Sequence, residues 1–137
     1  MTIFVNTGKI AIFRTPPDFV MDKIFIIFGA SGNLSKVKLL PSILKEKLYK
    51  DCEIVLYSRN VDDDVLQAQV KEVNDKNLRI VQGQYTDTEK IAELINGKKL
   101  VIFYLCIPSH QHLTIIQSLD NLNREVVVAL EKPFLRV

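Results

Sequence analysis

The sequence has few of the residues that build metal centres. Two cysteines occur among 137 residues, Cys52 and Cys106, and their separation does not match any metal-ligand spacing. Cys106 lies within an apolar run, where we expect a small buried hydrophobe in a reducing compartment. The two histidines, His110 and His112, are two residues apart and would not share a helix face, so they make a poor metal pair. No metal site is therefore expected.

An excess of charge and a long apolar run are also missing. Eighteen basic and sixteen acidic residues leave a net charge of +2, and no basic run is interleaved with aromatics, so nucleic acid is not an expected partner. The apolar N-terminal segment is interrupted by Asn6-Thr7-Gly8-Lys9, unlike a signal peptide, and no run reaches membrane-spanning length. We expect a cytoplasmic protein that does not bind membranes.

Familiar catalytic patterns are absent as well. No Ser–His–acid set and no glycine-rich kinase loop is visible. We interpret His110 and His112 as ordinary helix-start residues with no catalytic role. Asp62-Asp63-Asp64 precedes an apolar helical pattern, and carboxylates in a first helical turn are favoured by capping and by the helix dipole. The acidic run therefore predicts a helix start rather than a metal cluster.

What the sequence does contain is a buried strand followed by a glycine turn. Ile24 to Phe28 is an apolar run typical of a strand covered on both faces, and Gly29-Ala30-Ser31-Gly32 follows directly. Gly29 can take the tight turn, and Gly32 lets a pyrophosphate approach the backbone. Ser31 adds a hydroxyl donor and Asn33 can cap the next helix. This geometry predicts a phosphate-binding loop.

Strands and helical patterns alternate along the rest of the chain. Strands are predicted over 24–28, 53–57, 78–82, 100–107 and 125–130. Between them the apolar spacing predicts four helices. The first spans 34–48, with a kink or a new start at Pro41, and the second begins at residue 62. The third spans 88–96 and is followed by Gly97, and the fourth begins at Ser109 with an apolar stripe of Leu113, Ile116 and Leu119.

This order predicts a single α/β domain of the Rossmann type, a doubly wound parallel sheet with helices on both faces. The domain would span residues 23–137. Pro16-Pro17-Asp18 breaks any regular element, so residues 1–22 are expected to form a strand-like N-terminal arm outside the main fold.

Ligands bind such sheets at the carboxyl ends of the strands, where two cations stand out. Arg59 follows the second predicted strand, at the point where NAD-selecting enzymes place an acid to hold the ribose 2′-hydroxyl. A guanidinium there suits the 2′-phosphate of NADP. Lys132 follows the last predicted strand next to Pro133, where it could bind a sugar phosphate or hydroxyl or stay solvated.

Several stretches together resemble the N-terminal domain of the glucose-6-phosphate dehydrogenase family. The first is Gly29 to Pro41, similar to the family's Gly-Ala-Ser-Gly-Asp-Leu-Ala and the Lys-rich helix after it. The others, in the same order as in the family, are Tyr57-Ser58-Arg59, 83–87, 103–108 and Glu131-Lys132-Pro133-Phe134. Asn33 replaces the family's Asp, and Leu135 replaces the glycine after Phe134.

The resemblance implies an NADP-binding domain and assigns its site residues. Arg59 would meet the 2′-phosphate, Tyr104 and Lys132 would line the cofactor cleft, and Lys132 would also reach glucose 6-phosphate. The cofactor-binding glycine turn would comprise Gly29, Ala30, Ser31, Gly32, Asn33, Leu34, Ser35 and Lys36.

In this family the reaction oxidises glucose 6-phosphate to 6-phosphogluconolactone with NADP in the pentose phosphate pathway. A second domain carries the histidine and aspartate that remove the proton, and the chain stops at Val137 before such a domain. The resemblance therefore implies the coenzyme-binding half, with no catalytic residue in this chain and no turnover by it alone. The sequence leaves open whether a homo-oligomer or a complementing chain forms.

Two other interpretations of the function are compatible with the sequence. A glucose–fructose oxidoreductase-type dehydrogenase domain also carries Glu-Lys-Pro, but with a G-x-G-x-x-G turn that this sequence does not have. A non-catalytic NADP-binding or sensing module would bind the cofactor without turnover.

Overall fold

The computed structural model describes residues 1–6, 22–30 and 39–131. Its strands are β1 (Thr2–Asn6), β2 (Lys23–Phe28), β3 (Glu53–Ser58), β4 (Leu78–Gln82), β5 (Leu100–Leu105) and β6 (Val127–Glu131). Its helices are α1 (Leu40–Glu46), α2 (Asp64–Val73), α3 (Thr88–Ile95) and α4 (His112–Asp120), with short 3₁₀ turns at Leu48–Lys50 and Ser109–Gln111. No helix in these ranges is long and apolar enough to cross a membrane.

The six described strands form one parallel sheet in the order β1-β6-β5-β2-β3-β4. The apolar strand β2 lies in the middle, where Ile26 pairs with Val55 of β3 on one side and with Phe103 of β5 on the other. The chain order reverses between β2 and β5, so the sheet has a topological switch point there. The predicted α/β fold class is confirmed.

The N-terminal strand corrects one prediction. Residues 2–6 are not an arm outside the fold, because β1 pairs in parallel with β6 and the Thr2 N–H donates to the Val126 carbonyl at 2.9 Å. β1 takes the place beside β6 that a sixth strand takes in a doubly wound sheet. The pairing joins segments more than a hundred residues apart, which local sequence patterns cannot reveal. Residues 7–21 lie outside the described residues.

The sheet is covered on both faces, as the doubly wound arrangement requires. One core cluster packs Phe25 and Ile54 of the sheet against Ile43 of α1 and Leu66 of α2. The other core cluster packs the opposite sheet face against helices α3 and α4, through Ile91, Ile95, Ile115 and Leu119. Every residue of β2 and β3 is buried, which explains the apolar runs over 24–28 and 54–57 within these strands.

The helix ends largely follow the sequence signals. The Asp63 side chain accepts a hydrogen bond from the Leu66 N–H at 3.1 Å and caps α2, which confirms that the acidic run marks a helix start. Asp87 caps α3 in the same way through the Lys90 N–H. Gly97 follows α3 with a φ of +78°, the predicted conformation after a helix end. Pro41 lies in the first turn of α1, where a proline is tolerated.

The buried stripe of α4 differs from the prediction. His112, Ile115 and Leu119 are buried, whereas Leu113 is 52% exposed and Ile116 is only half-buried. A spacing of three or four residues allowed two adjacent stripes, and the packing of α4 against the sheet buries the one that contains His112, Ile115 and Leu119. The prediction was thus wrong at Leu113.

An ion cluster lies at the amino ends of the strands, away from the switch point. The Glu53 carboxylate accepts from the Arg79 guanidinium at 2.8 Å and lies 2.7 Å from the Lys98 ammonium. Burial raises the pKa of Glu53, but the hydrogen bonds from Lys98 and Arg79 outweigh it, so the pKa lies below its ordinary value of 4.5. The ionised carboxylate therefore stabilises the fold at pH values above 4.5.

Replacing this carboxylate with a neutral amide should destabilise the protein in a pH-dependent manner. We expect Glu53→Gln to lower the free energy of unfolding at pH 7 by about 1–3 kcal/mol, with the larger share from Lys98 because Arg79 is 45% exposed and solvent-screened. A depressed folded pKa means that this difference shrinks as the pH falls below 4.5. Urea titrations at pH 7 and pH 4 measure it, with the exposed Glu93→Gln as control. A difference that stays constant with pH would contradict the assignment.

Candidate functional site

Four strand ends surround an open cavity at the switch point. The cavity has a volume of about 470 Å³, within the usual range for small-molecule sites. It is lined by residues at the carboxyl ends of β2, β3, β4 and β5 or just after them, namely Gly29, Ser58, Arg59, Asn60, Gln84, Tyr85, Cys106, Ile107, Pro108 and Gln111. The fold therefore places a ligand-sized space where doubly wound sheets bind their ligands.

Gly29 closes the base of this cavity. Its φ is +82°, which confirms the predicted tight turn, and a Cβ built on it would lie 2.4 Å from the Cys106 carbonyl oxygen. Its N–H donates to the Tyr57 carbonyl at 3.0 Å, so this amide is used within the sheet. The Cys106 N–H donates to the Phe28 carbonyl at 2.8 Å. The ends of β2, β3 and β5 are thus held together through backbone contacts at one glycine.

An aromatic cluster supports the loop after β4. Phe28 packs against Tyr57, Tyr85 and Phe103 with ring centroids 4.9–5.5 Å apart. The Tyr57 hydroxyl donates to the Gln84 carbonyl at 2.7 Å. Burial, and to a lesser degree Asp87 and Tyr85, raises the pKa of Tyr57 to about 12, so the hydroxyl keeps the proton that it donates. The loop position is therefore set by the core.

Arg59 lies at the rim of the cavity on top of this cluster. Its side chain is exposed, and its guanidinium carbon lies 5.7 Å from the centre of the Tyr85 ring. The Arg59 carbonyl accepts from the Gln82 side chain at 3.1 Å, which ties the ends of β3 and β4 together. A guanidinium held over an aromatic ring keeps its outer N–H groups available to an anion.

A second cavity of about 350 Å³ adjoins the first. The two share Arg59, Gln84, Tyr85 and Gln111, and the second adds Thr86, His110, Thr114 and Ile115. Arg59 is the one permanently charged side chain lining either cavity within the described residues, and neither is lined by aspartate or glutamate. The combined groove can therefore accept an anionic ligand without repulsion from a carboxylate.

Only some of the predicted site residues lie at the first cavity. Gly29 and Arg59 line the first cavity, and Ala30 is buried beside Gly29. Tyr104 is 3% exposed, packs edge-on against Phe25 at 5.9 Å, and lines neither of the two cavities. The other predicted positions lie outside the described residues: Ser31, Gly32, Asn33, Leu34, Ser35, Lys36 and Lys132.

Sequence reasoning assigned no role to several residues that line the groove. Asn60, Gln84 and Tyr85 follow strand ends, so the rule that ligands bind there could have found them. Gln111 and His110 lie in the 3₁₀ turn before α4, and no local signal distinguished them from ordinary helix-start residues. Within the described residues, no group of three or more His, Cys, Asp and Glu side chains is placed to hold a metal ion.

A parallel doubly wound sheet with a groove at its switch point defines the class as a Rossmann-like α/β domain. Comparison with known proteins narrows this class, although no family model matches the chain. Glucose-6-phosphate 1-dehydrogenase of Encephalitozoon cuniculi (strain GB-M1) is 25% identical over 115 residues, which cover 80% of this chain and 26% of that protein.

Solved structures show the same fold. The crystal structure of glucose-6-phosphate 1-dehydrogenase from Mycobacterium avium superposes with a TM-score of 0.65 at 20% identity, over 82% of this chain and 30% of that one. A short-chain dehydrogenase/reductase (wide type) from Veillonella parvula DSM 2008, solved in complex with NADP, gives a TM-score of 0.50 at 21% identity, over 80% of this chain and 47% of that one.

The resemblance to glucose-6-phosphate dehydrogenase predicted from the motifs is thus confirmed over about four-fifths of the chain. The chain spans about a quarter of the length of the curated relative that it matches.

The glycine turn offers a matched pair of substitutions. Gly29 and Gly97 both have positive φ, but a Cβ at Gly97 meets nothing within 4 Å, whereas one at Gly29 meets the Cys106 backbone. We expect Gly97→Ala to cost about 1 kcal/mol from backbone strain. Gly29→Ala should cost about 1–3 kcal/mol more, because β2 and β5 must move apart. Urea unfolding of both variants measures the difference. Equal losses would show that the close approach at Gly29 is unimportant.

Proposed function

We propose that the chain is the coenzyme-binding half of a glucose-6-phosphate dehydrogenase and that it binds NADP in the groove at the switch point. The observation that carries the proposal is the position of Arg59 directly after β3: among the described residues that line the groove, it is the permanently charged one, and none is a carboxylate. Enzymes that select NAD place an acid near this point, and a cation favours the extra phosphate of NADP. The sequence motifs that resemble the glucose-6-phosphate dehydrogenase family imply the same cofactor, and the curated relative carries the name of that family.

The residues of the groove fit such a dinucleotide. Arg59 would bind the 2′-phosphate with its guanidinium held over Tyr85. The nearby amide and hydroxyl groups of Asn60 and Ser58 would face the ribose. Because the Gly29 N–H already donates to Tyr57, the amides that follow it, from Ser31 onward, would hold the pyrophosphate. Bound NADP would supply the hydride acceptor, and this chain would position it.

We propose the complete reaction on the basis of the same resemblance. Glucose 6-phosphate would be oxidised to 6-phosphogluconolactone with NADP as part of the pentose phosphate pathway, in the cytoplasm. Lys132 is proposed to contribute to the cofactor cleft and to reach glucose 6-phosphate, whereas the buried Tyr104 would support the sheet beneath it. The domain that would hold the sugar and its general base is proposed to lie in a longer chain or in a complementing partner.

Removing the cation at position 59 tests the cofactor. We expect Arg59→Ala to weaken NADP binding about 10- to 100-fold and to leave NAD binding nearly unchanged, because a charge-assisted hydrogen bond contributes about 1.5–3 kcal/mol. Calorimetric titration of both cofactors measures the change. The control is Lys71→Ala, an exposed cation in the last turn of α2. Equal affinity of the unaltered chain for NAD and NADP would refute the cofactor assignment.

The chain of 137 residues should not oxidise glucose 6-phosphate at a useful rate. His112 is buried with Nε2 bonded to the Ile107 carbonyl, and in the described part of the chain neither it nor His110 hydrogen-bonds to a carboxylate. A missing general base costs about 10²–10⁴ in rate. NADPH absorbance at saturating glucose 6-phosphate measures turnover. Steady turnover that His110→Ala abolishes would contradict this expectation.

A further inference from the structure

A buried histidine lies behind one wall of the groove. His112 is 2% exposed, and its Nε2 lies 2.9 Å from the Ile107 carbonyl oxygen. A carbonyl oxygen only accepts, so Nε2 carries the proton in this contact. The other ring nitrogen, Nδ1, is buried and has no hydrogen-bond partner among the described residues. Within the described part of the chain, the hydrogen bond of this ring is therefore the one to Ile107.

The residues that His112 holds form the groove wall. Ile107, Pro108 and Gln111 line the first cavity, and His110 and Gln111 line the second. The backbone of this turn is fixed at its start by the Cys106 N–H on Phe28, and within it by the Gln111 N–H on the Pro108 carbonyl at 3.0 Å. The contact from His112 adds a side-chain hydrogen bond from the first residue of α4 back to this turn.

The chemistry of position 112 indicates that this link matters. Ile115 and Leu119 bury the same helix face with apolar side chains, and such a side chain would fill the position without leaving an orphaned nitrogen. Burying an unsatisfied polar atom is unfavourable. Burial of Nδ1 without a partner is therefore unfavourable, and the hydrogen bond from Nε2 to Ile107 offsets it.

We propose that His112 is a positioning residue for the cofactor groove: by holding the Ile107 carbonyl, it fixes the turn of residues 107–111 in the conformation that accepts the dinucleotide. His112 lines neither cavity, so it acts through the turn rather than by touching the ligand. For the identity of that ligand, this inference rests on the proposed NADP binding.

Three substitutions separate positioning from packing. His112→Leu keeps an apolar filling but removes the donor, and we expect NADP to bind roughly three- to tenfold more weakly, as the loss of one neutral hydrogen bond predicts. His112→Gln should bind NADP within about twofold of the unaltered chain, because its terminal amide can reach the same carbonyl. His112→Asn, with a shorter side chain, should behave like His112→Leu and replaces it if the leucine variant does not fold. Leu113→Ala, on the exposed side of α4, is the control.

Two measurements without cofactor complete the test. Nitrogen NMR of the imidazole should show that Nε2 carries a proton, as donation to the Ile107 carbonyl requires. Amide exchange at Gln111 should be about three- to tenfold faster in His112→Leu and return toward the original rate in His112→Gln. These two measurements need no ligand, so they test the role of His112 whether or not NADP binds. If the unaltered chain does not bind NADP, the proposed function is refuted and the role of His112 is still decided.

The inference would be overturned by any of three results. One is an unchanged NADP affinity in His112→Leu, or an unchanged Gln111 exchange rate if NADP does not bind. Another is an equal loss of affinity in the leucine and glutamine variants, which would make His112 a packing residue. The third is a ring with Nδ1 protonated and Nε2 not, because such a ring cannot donate to Ile107.

Discussion

The close backbone approach at Gly29 is the constraint on which the rest of the structure depends. A Cβ there would lie 2.4 Å from the Cys106 carbonyl oxygen, while the Gly29 N–H already donates to Tyr57. One residue without a side chain thus lets the ends of three parallel strands converge. The central strand can then turn toward the next helix at the switch point, and the neighbouring strand ends can form the two sides of a groove.

The side chains around the groove are held in place from the core outward. Tyr57 is fully buried, yet its hydroxyl donates to the Gln84 carbonyl at the groove edge. A Cβ at Gly83 would lie 2.2 Å from that hydroxyl, so a glycine is needed for the loop to pass so close. Tyr85 then stacks on Phe28 and presents its ring to Arg59. The cation that we assign to phosphate recognition therefore stands on a rigid aromatic support.

The charged side chains have different surroundings at the amino ends and at the carboxyl ends of the strands. At the amino ends of the strands, Glu53 is surrounded by Lys98 and Arg79 and stabilises the fold. At the carboxyl ends, none of the described residues that line the groove beside Arg59 is a carboxylate. A cation satisfied within the protein is structural, whereas a cation left facing a cavity favours an anionic ligand. This division supports the NADP proposal independently of the similarity to glucose-6-phosphate dehydrogenase.

The sequence by itself determined the central strands, the tight turn at Gly29, the caps at Asp63 and Gly97 and the doubly wound class, because apolar runs and helix-end signals act over a few neighbouring residues. The position of Arg59 at the carboxyl end of a strand was also predicted, and Arg59 lines the cavity there. Only the tertiary structure decided that residues 2–6 pair with β6, that Leu113 faces outward, and that His112 is buried against Ile107. Each of these depends on contacts between distant segments or on the rotation of a helix against the sheet. No local pattern in the sequence specifies either of these.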